Sequence, residues 1–112
     1  MNAETRLMGE IHRRLSELDG VALWRNNCGV AEHWKPGAAR PDVVRYGLAV
    51  GSADLVGVVG GRFVALEVKT PAGRVTEEQT QWLALVERCG GVGRVVRSVD
   101  EALGVVREVL GG

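Results

Sequence analysis

Two apolar runs face each other across a pair of glycines near the middle of the chain. Asp54 to Val59 is short and rich in valine. Gly60-Gly61 follows, and Arg62 to Lys69 then alternates Phe63, Ala65, Glu67 and Lys69 with Val64, Leu66 and Val68. A Gly-Gly pair supplies the positive φ values of a two-residue turn, and a period of two marks a strand. The segment is therefore predicted to be an antiparallel hairpin with Val59 opposite Arg62 and, at its open end, Asp54 opposite Glu67. A hairpin alone is marginal in water, so the flanking sequence must supply more strands and a cover.

The flanks do so. Leu7, Ile11, Leu15 and Leu18 recur at helical spacing and predict a helix over Ala3 to Leu18, closed by Asp19-Gly20. Val21 to Arg25 reads as a short strand. Asn26 to Pro41, with Gly29, Pro36, Gly37 and Pro41, reads as a long loop, and Asp42 to Tyr46 as a further short strand. Past the hairpin, Thr70-Pro71-Ala72-Gly73 breaks the chain. Thr76-Glu77-Glu78-Gln79 has the T-x-x-Q form of a capping box, which starts a helix at Glu77. Trp82, Leu83, Leu85 and Val86 give that helix a buried face, and Gly90 sits where a glycine would end it. Val92 to Arg97 is a third apolar strand. Ser98-Val99-Asp100-Glu101 is a second capping box, opening a helix to about Leu110. Helices interleaved with strands that must pair both ways describe an α/β or α+β sandwich around a mixed sheet.

At 112 residues the chain is expected to form one domain. Apolar residues make up 46% and charged residues 25%, and Lys plus Arg (14) balance Asp plus Glu (14), which excludes a disordered chain. No stretch reaches the ~18 apolar residues of a membrane span. Charges scattered from Glu4 to Glu17 exclude a signal peptide, so a cytosolic setting is expected. Cys28 and Cys89 make neither a disulfide scaffold nor a C-x-x-C zinc site, and are expected to be reduced and mostly buried. Zero net charge argues against a purely electrostatic nucleic-acid binder but leaves room for an enzyme with a local basic patch.

Glu67 and Lys69 lie two residues apart, hence on one strand face, with Phe63 and Ala65. Charges at the end of an apolar strand are costly to desolvate unless they are paired or bind something. Asp54, opposite Glu67, adds a second carboxylate, and like charges placed so close call for a cation. Carboxylates and a backbone oxygen such as the Val68 carbonyl are the hard ligands that Mg²⁺ favours. Lys69 beside them would orient or help deprotonate a water. A metal with a lysine is what phosphodiester hydrolysis requires.

Asp54, twelve residues, then Glu67-Val68-Lys69 resembles the D-x(n)-E-x-K signature of the PD-(D/E)XK nucleases. The likeness is closest to their VRR-NUC branch, the virus-type replication-repair nucleases. The residues that carry it are Gly51-Ser52-Ala53-Asp54-Leu55, the Gly60-Gly61 turn, Glu67-Val68-Lys69 and Gln79, within a stretch from about Arg25 to Asp100. The resemblance implies a restriction-endonuclease-like core, in αβββαβ order with a C-terminal helix. It implies a DNA endonuclease using Mg²⁺, with Mn²⁺ as substitute, held by Asp54 and Glu67. Lys69 would position the water or stabilise charge, Gln79 would orient that lysine or the water, and Glu10 would supply the acidic residue of the first helix. Stand-alone members look like homodimers that cut branched DNA such as four-way junctions, in a phage or prophage setting. The proline of the family name is replaced by Ala53. Pro41-Asp42 offers a literal P-D, but Asp54 sits on the hairpin itself and is favoured.

Plainer readings stand beside these. Gln79 is also explained by the capping box, and Glu10 by an ordinary solvated helix face. His12 and His33 read as surface residues, Trp82 as core, and Trp34 as a loop anchor or a base-stacking group. Arg25, Lys35, Arg40, Arg45 and Arg74 are the candidate phosphate contacts. The rival functions are a non-catalytic nuclease-fold module for DNA or protein binding, and a nuclease acting on linear duplex or flap DNA.

Overall fold

In the computed structural model, which describes residues 1–112, the central hairpin is formed by β4 (Leu55–Val59) and β5 (Arg62–Val68). Gly60 and Gly61 have φ of 55° and 85°, the two positive values a type I′ turn demands. The register is the expected one: Val59 faces Arg62 and Leu55 faces Leu66. On the far side of β4 lies β1 (Val21–Arg25), also antiparallel.

Helix α1 (Ala3–Ser16) precedes β1, capped by the Asn2 side chain. Helix α2 (Glu77–Arg88) follows β5 and returns the chain to β6 (Val92–Val96), which pairs with β5 in parallel. Helix α3 (Val99–Gly111) ends the chain. The main sheet therefore runs β1-β4-β5-β6 and is mixed, in the expected α-β-β-β-α-β-α order. No helix is long and apolar enough to cross a membrane.

The two sheet faces are covered unequally. Helices α1 and α3 pack together over one face, where Ile11, Leu15, Leu55, Leu66, Val96 and Val106 are among the residues that close the main core. On the other face α2 covers only β5 and β6, over a small cluster of Ala53, Ala65 and Leu83 with Trp82 at its edge. The same face of β1 and β4 is bare: Trp24 is 59% exposed, and Ala22 and Val58 stand open beside it.

The long loop expected over Asn26 to Pro41 is corrected. It contains β2 (Gly29–His33), which pairs with β3 (Asp42–Tyr46) as a separate two-stranded ribbon. A Val-Ala pair between glycine and charged residues is too short a pattern to register as a strand without its partner. The ribbon stands away from the body as an arm, so the molecule measures 57 × 32 × 26 Å. Its radius of gyration is 15.9 Å, against ~13 Å for a compact chain of this length.

Three smaller expectations are also revised. Cys28 and Cys89 are exposed, because each lies just outside the end of an element instead of within one. Trp34 anchors nothing and is 57% exposed beyond the end of β2. The second capping box is half formed: Ser98 accepts from the Glu101 N–H, but the Glu101 carboxylate accepts from Arg97 N–H instead of Ser98.

Leu66→Ala, at a fully buried strand position, is expected to cost ~2–5 kcal/mol in urea unfolding. Glu10→Ala, on an exposed helix position, should stay within about 0.5 kcal/mol.

Candidate active site

Glu67 is the most buried charged residue of the molecule, at 2% exposure, and Lys69 follows at 8%. Strand alternation turns Leu66 and Val68 into the main core and sends Glu67 to the α2 side, at the end of the sheet. Its Oε2 accepts a hydrogen bond from Gln79 Nε2 at 3.1 Å, and the Lys69 ammonium stands 3.7 Å from it as an ion pair. Its Oε1 is buried with no partner at all. An orphaned carboxylate oxygen is costly in protein and leaves an acceptor available to a ligand.

Asp54 stands beside Glu67 as the register requires. Its Oδ2 accepts from Val68 N–H at 2.8 Å, so the end of the hairpin is closed through a side chain. The Val68 amide is thereby tied to Asp54, a contact separate from the place the sequence gives its carbonyl among the cation ligands. One carboxylate oxygen each from Asp54, Glu67 and Glu4 lie within 4.8 Å of one another.

Burial, first, and then the Asp54 carboxyl beside it push the Glu67 carboxyl up from 4.5 to about 8, with Lys69 pulling the other way and Glu4 adding a smaller upward push. Carboxylates placed so close repel one another unless a cation lies between them. Three hard carboxylate oxygens so close together, on a set of acids that includes the buried Glu67, fit a divalent cation.

The third carboxylate is Glu4, not the expected Glu10. Glu4 lies one turn before Met8 and in line with Ile11 and Leu15, so it continues the buried stripe of α1 past its start. Glu10 precedes Ile11 by one residue, about 100° round the helix, and is exposed. The stripe spacing was the signal that would have chosen Glu4. Its position in the first turn also puts it at the positive end of the α1 dipole, and Gln79 lies in the first turn of α2. Two helix starts thus face the carboxylates, which favours negative charge there.

Gln79 serves both of its readings. Its Oε1 accepts from Thr76 N–H at 2.9 Å, completing the capping box, while its Nε2 holds Glu67. It touches Glu67 where the resemblance pointed to the lysine or water. Thr76 Oγ1 in turn accepts from Gln79 N–H.

Asn26 has no signal in the sequence spacing, yet it clasps the segment that carries Asp54. Its N–H donates to Asp54 O at 2.8 Å. Its Nδ2 donates to Ser52 Oγ at 2.8 Å and Ala53 O at 2.9 Å, and its Oδ1 accepts from Leu48 N–H at 3.3 Å. Gly51 brings that segment against α2: its φ is 81°, and a Cβ there would lie 2.5 Å from Glu78 O. Arg97 steadies the other side, donating to the carbonyls of Thr70 at 2.8 Å and Gly73 at 2.7 Å in the loop after Lys69.

The candidate phosphate contacts separate into two groups. Arg25 ends β1 opposite Leu55, next to Asp54, and Arg74 lies in the loop after Lys69; both are exposed. Lys35, Arg40 and Arg45 belong to the arm, where Lys35 is paired with Asp42 at 3.2 Å. His12 does not join the site; its Nε2 lies 2.8 Å from Leu23 O.

The sequence profile of the VRR-NUC domain matches residues 2–100 of the chain. No curated protein matches it.

A carboxyl held above its unfolded value binds its proton more tightly in the folded state. With metal chelated, stability should therefore fall as pH rises from 4.5 to about 8. Thermal unfolding in EDTA should show this slope in the wild type and a flatter profile in Glu67→Gln, which carries no titrating group there.

Proposed function

From the premise that the chain belongs to the VRR-NUC family, and so is a nuclease domain of the PD-(D/E)XK type with DNA as its substrate, we propose that it is a divalent-metal-dependent endonuclease selective for branched DNA. The observation that carries the metal requirement is the orphaned Glu67 Oε1 beside the Asp54 and Glu4 carboxylates. Asp54, Glu67 and Glu4 would hold Mg²⁺ or Mn²⁺, with the Val68 carbonyl as a further oxygen. When bound, the cation supplies a nucleophilic water at neutral pH and charge relief for the phosphate.

The chain's own residues prepare that site. Val68 N–H fixes the Asp54 carboxylate, and Gln79 fixes Glu67 through Oε2, leaving Oε1 free for a ligand. The Lys69 ammonium is nearly out of water, so its charge acts at close range on a water or on a phosphate oxygen gaining charge. Arg25 and Arg74 would contact phosphates beside the cut, with Lys35, Arg40 and Arg45 farther out. Selectivity for branched DNA, action as a homodimer, and a cytoplasmic setting in a bacterial or phage-infected cell are implied by the family resemblance. Two copies related by a two-fold axis suit a substrate with two-fold symmetry, since they make paired cuts.

The test is cleavage of labelled linear, flapped and four-way DNA with Mg²⁺, Mn²⁺ or EDTA. Symmetric metal-dependent cutting of the junction is the expected result. An absence of cutting on every substrate by folded protein would favour a binding module instead.

Asp54→Ala and Glu67→Ala should abolish cleavage. Lys69→Ala should lower the rate at saturating metal at least about a hundredfold, with little change in metal affinity.

Glu4→Gln should raise the metal concentration needed for half-maximal cleavage, and Glu10→Gln should leave it unchanged. The reverse pattern would return the third carboxylate to Glu10.

A further inference from the structure

The arm joins the body over a cavity. Its volume is about 490 Å³, and it opens to solvent on one side. Small-ligand sites run to ~300–1,000 Å³. Cys28 and Gly29 line it where the arm leaves, Arg45 and Tyr46 where the arm returns, and Leu48 and Val50 on the segment that leads to Asp54. None of the three clustered carboxylates lines it.

We propose that this cavity is a subsite for one unstacked nucleotide of the DNA, with its base on Tyr46 and its phosphate on Arg45. The inference rests on the reading of DNA as the substrate and deepens it, by naming a part of that DNA and where it lies beside the cut.

Tyr46 is a fixed platform. It pairs across the arm with Gly29, and a Cβ at Gly29 would lie 2.5 Å from Tyr46 Oη and 2.7 Å from Cζ. The ring thus lies across the glycine, in space that any side chain would take. Tyr46 is still 50% exposed. An aromatic ring held on one side and open on the other is what an unpaired base stacks on. The floor of the cavity is fixed too. Gly47 has a φ of 96°, and a Cβ there would lie 2.5 Å from Cys28 Sγ. Asn26 Oδ1 accepts from Leu48 N–H. A preformed site loses little to ordering when it is filled.

Charge selects the occupant. Arg45 is the one charged residue that lines the cavity. It makes no ion pair, although Glu32 shares its face of the arm, whereas Lys35 is neutralised by Asp42. An apolar wall with one free cation matches a flat heterocycle that carries a phosphate. An apolar protein segment would use the wall and not the cation. Position agrees with this. Gly51 ends the floor, and Asp54 follows three residues later, a reach of at most ~11 Å, or about three stacked nucleotides. Asn26 ties the two places together, since it holds Leu48 on one side and Ala53 and Asp54 on the other. A base leaves its stack at least cost where pairing is already interrupted, as at a branch point.

The experiment is fluorescence anisotropy in EDTA. The probes are a labelled duplex with one unpaired deoxyadenosine at its centre and the same duplex with an abasic unit in that place. Both carry the same phosphates, so the ratio of their affinities reads the base alone. Wild-type protein should bind the unpaired base about tenfold more tightly. Tyr46→Ala should bring the ratio to one, and Tyr46→Trp should keep it. Arg45→Gln should weaken both DNAs and reduce the salt slope by about one. Leu48→Glu puts a carboxylate in the cavity without touching either strand of the arm, and should also bring the ratio to one. It replaces Tyr46→Ala if that variant loses its circular dichroism. A ratio of one in the wild type, a ratio kept by Tyr46→Ala or Leu48→Glu, or unchanged binding by Arg45→Gln would each overturn the subsite, and would leave the cavity to an apolar protein segment. Binding in EDTA is read apart from cutting. Cleavage by wild-type protein whose ratio is one would leave the nuclease reading standing without the subsite; a tenfold ratio in a protein that cuts nothing would do the opposite.

Discussion

A carboxyl group held almost wholly out of water, beside a second carboxyl, is the costliest arrangement in this molecule, and much of the surrounding structure serves it. Glu67 is carried there by strand alternation: the residues on either side of it, Leu66 and Val68, are drawn into the main core, so the strand has no freedom to turn the acid outward. What the burial costs is offset only in part by Lys69 and Gln79, and one oxygen is left with nothing. An ordinary structural ion pair would leave no such oxygen. The uncompensated burial is the cost that the proposed cation would relieve.

Support for the acids comes from parts of the chain far apart in sequence. The hairpin gives the register, the start of α1 brings Glu4, the start of α2 brings Gln79, and Asn26 and Arg97 hold the two loops that flank the hairpin's open end. Because β5 is paired on both sides, with β4 and β6, its position is held more fully than that of an edge strand. The groups that need the least tolerance, Glu67 and Lys69, sit on or directly after that strand.

Much of this was legible in the sequence. Local signals sufficed for the hairpin and its register, for the capped helix α2 and for the pairing of Asp54 with Glu67, because each depends on residues close along the chain. The fold class and the element order followed from them. What escaped depends on distant partners. Glu4 and Glu10 look alike as helical acids until the line through Met8, Ile11 and Leu15 is extended backward. Strand β2 is too short to announce itself without β3 alongside. Asn26 has no local pattern, since its value lies in carbonyls and hydroxyls more than twenty residues away. The cysteines were expected inside on average behaviour, and their places outside the ends of elements leave them in water.

Gln79 has one amide and spends each end on a different structure: the oxygen on Thr76 N–H, the nitrogen on Glu67. The two bonds leave the amide a single orientation. Loosening either bond loosens the other, so the fraying of a helix end and the state of the acids share one equilibrium. The Thr76 amide proton, at the surface and open to solvent exchange, is accordingly a natural reporter: its protection should rise when Glu67 is locked in place and fall when Glu67 is released.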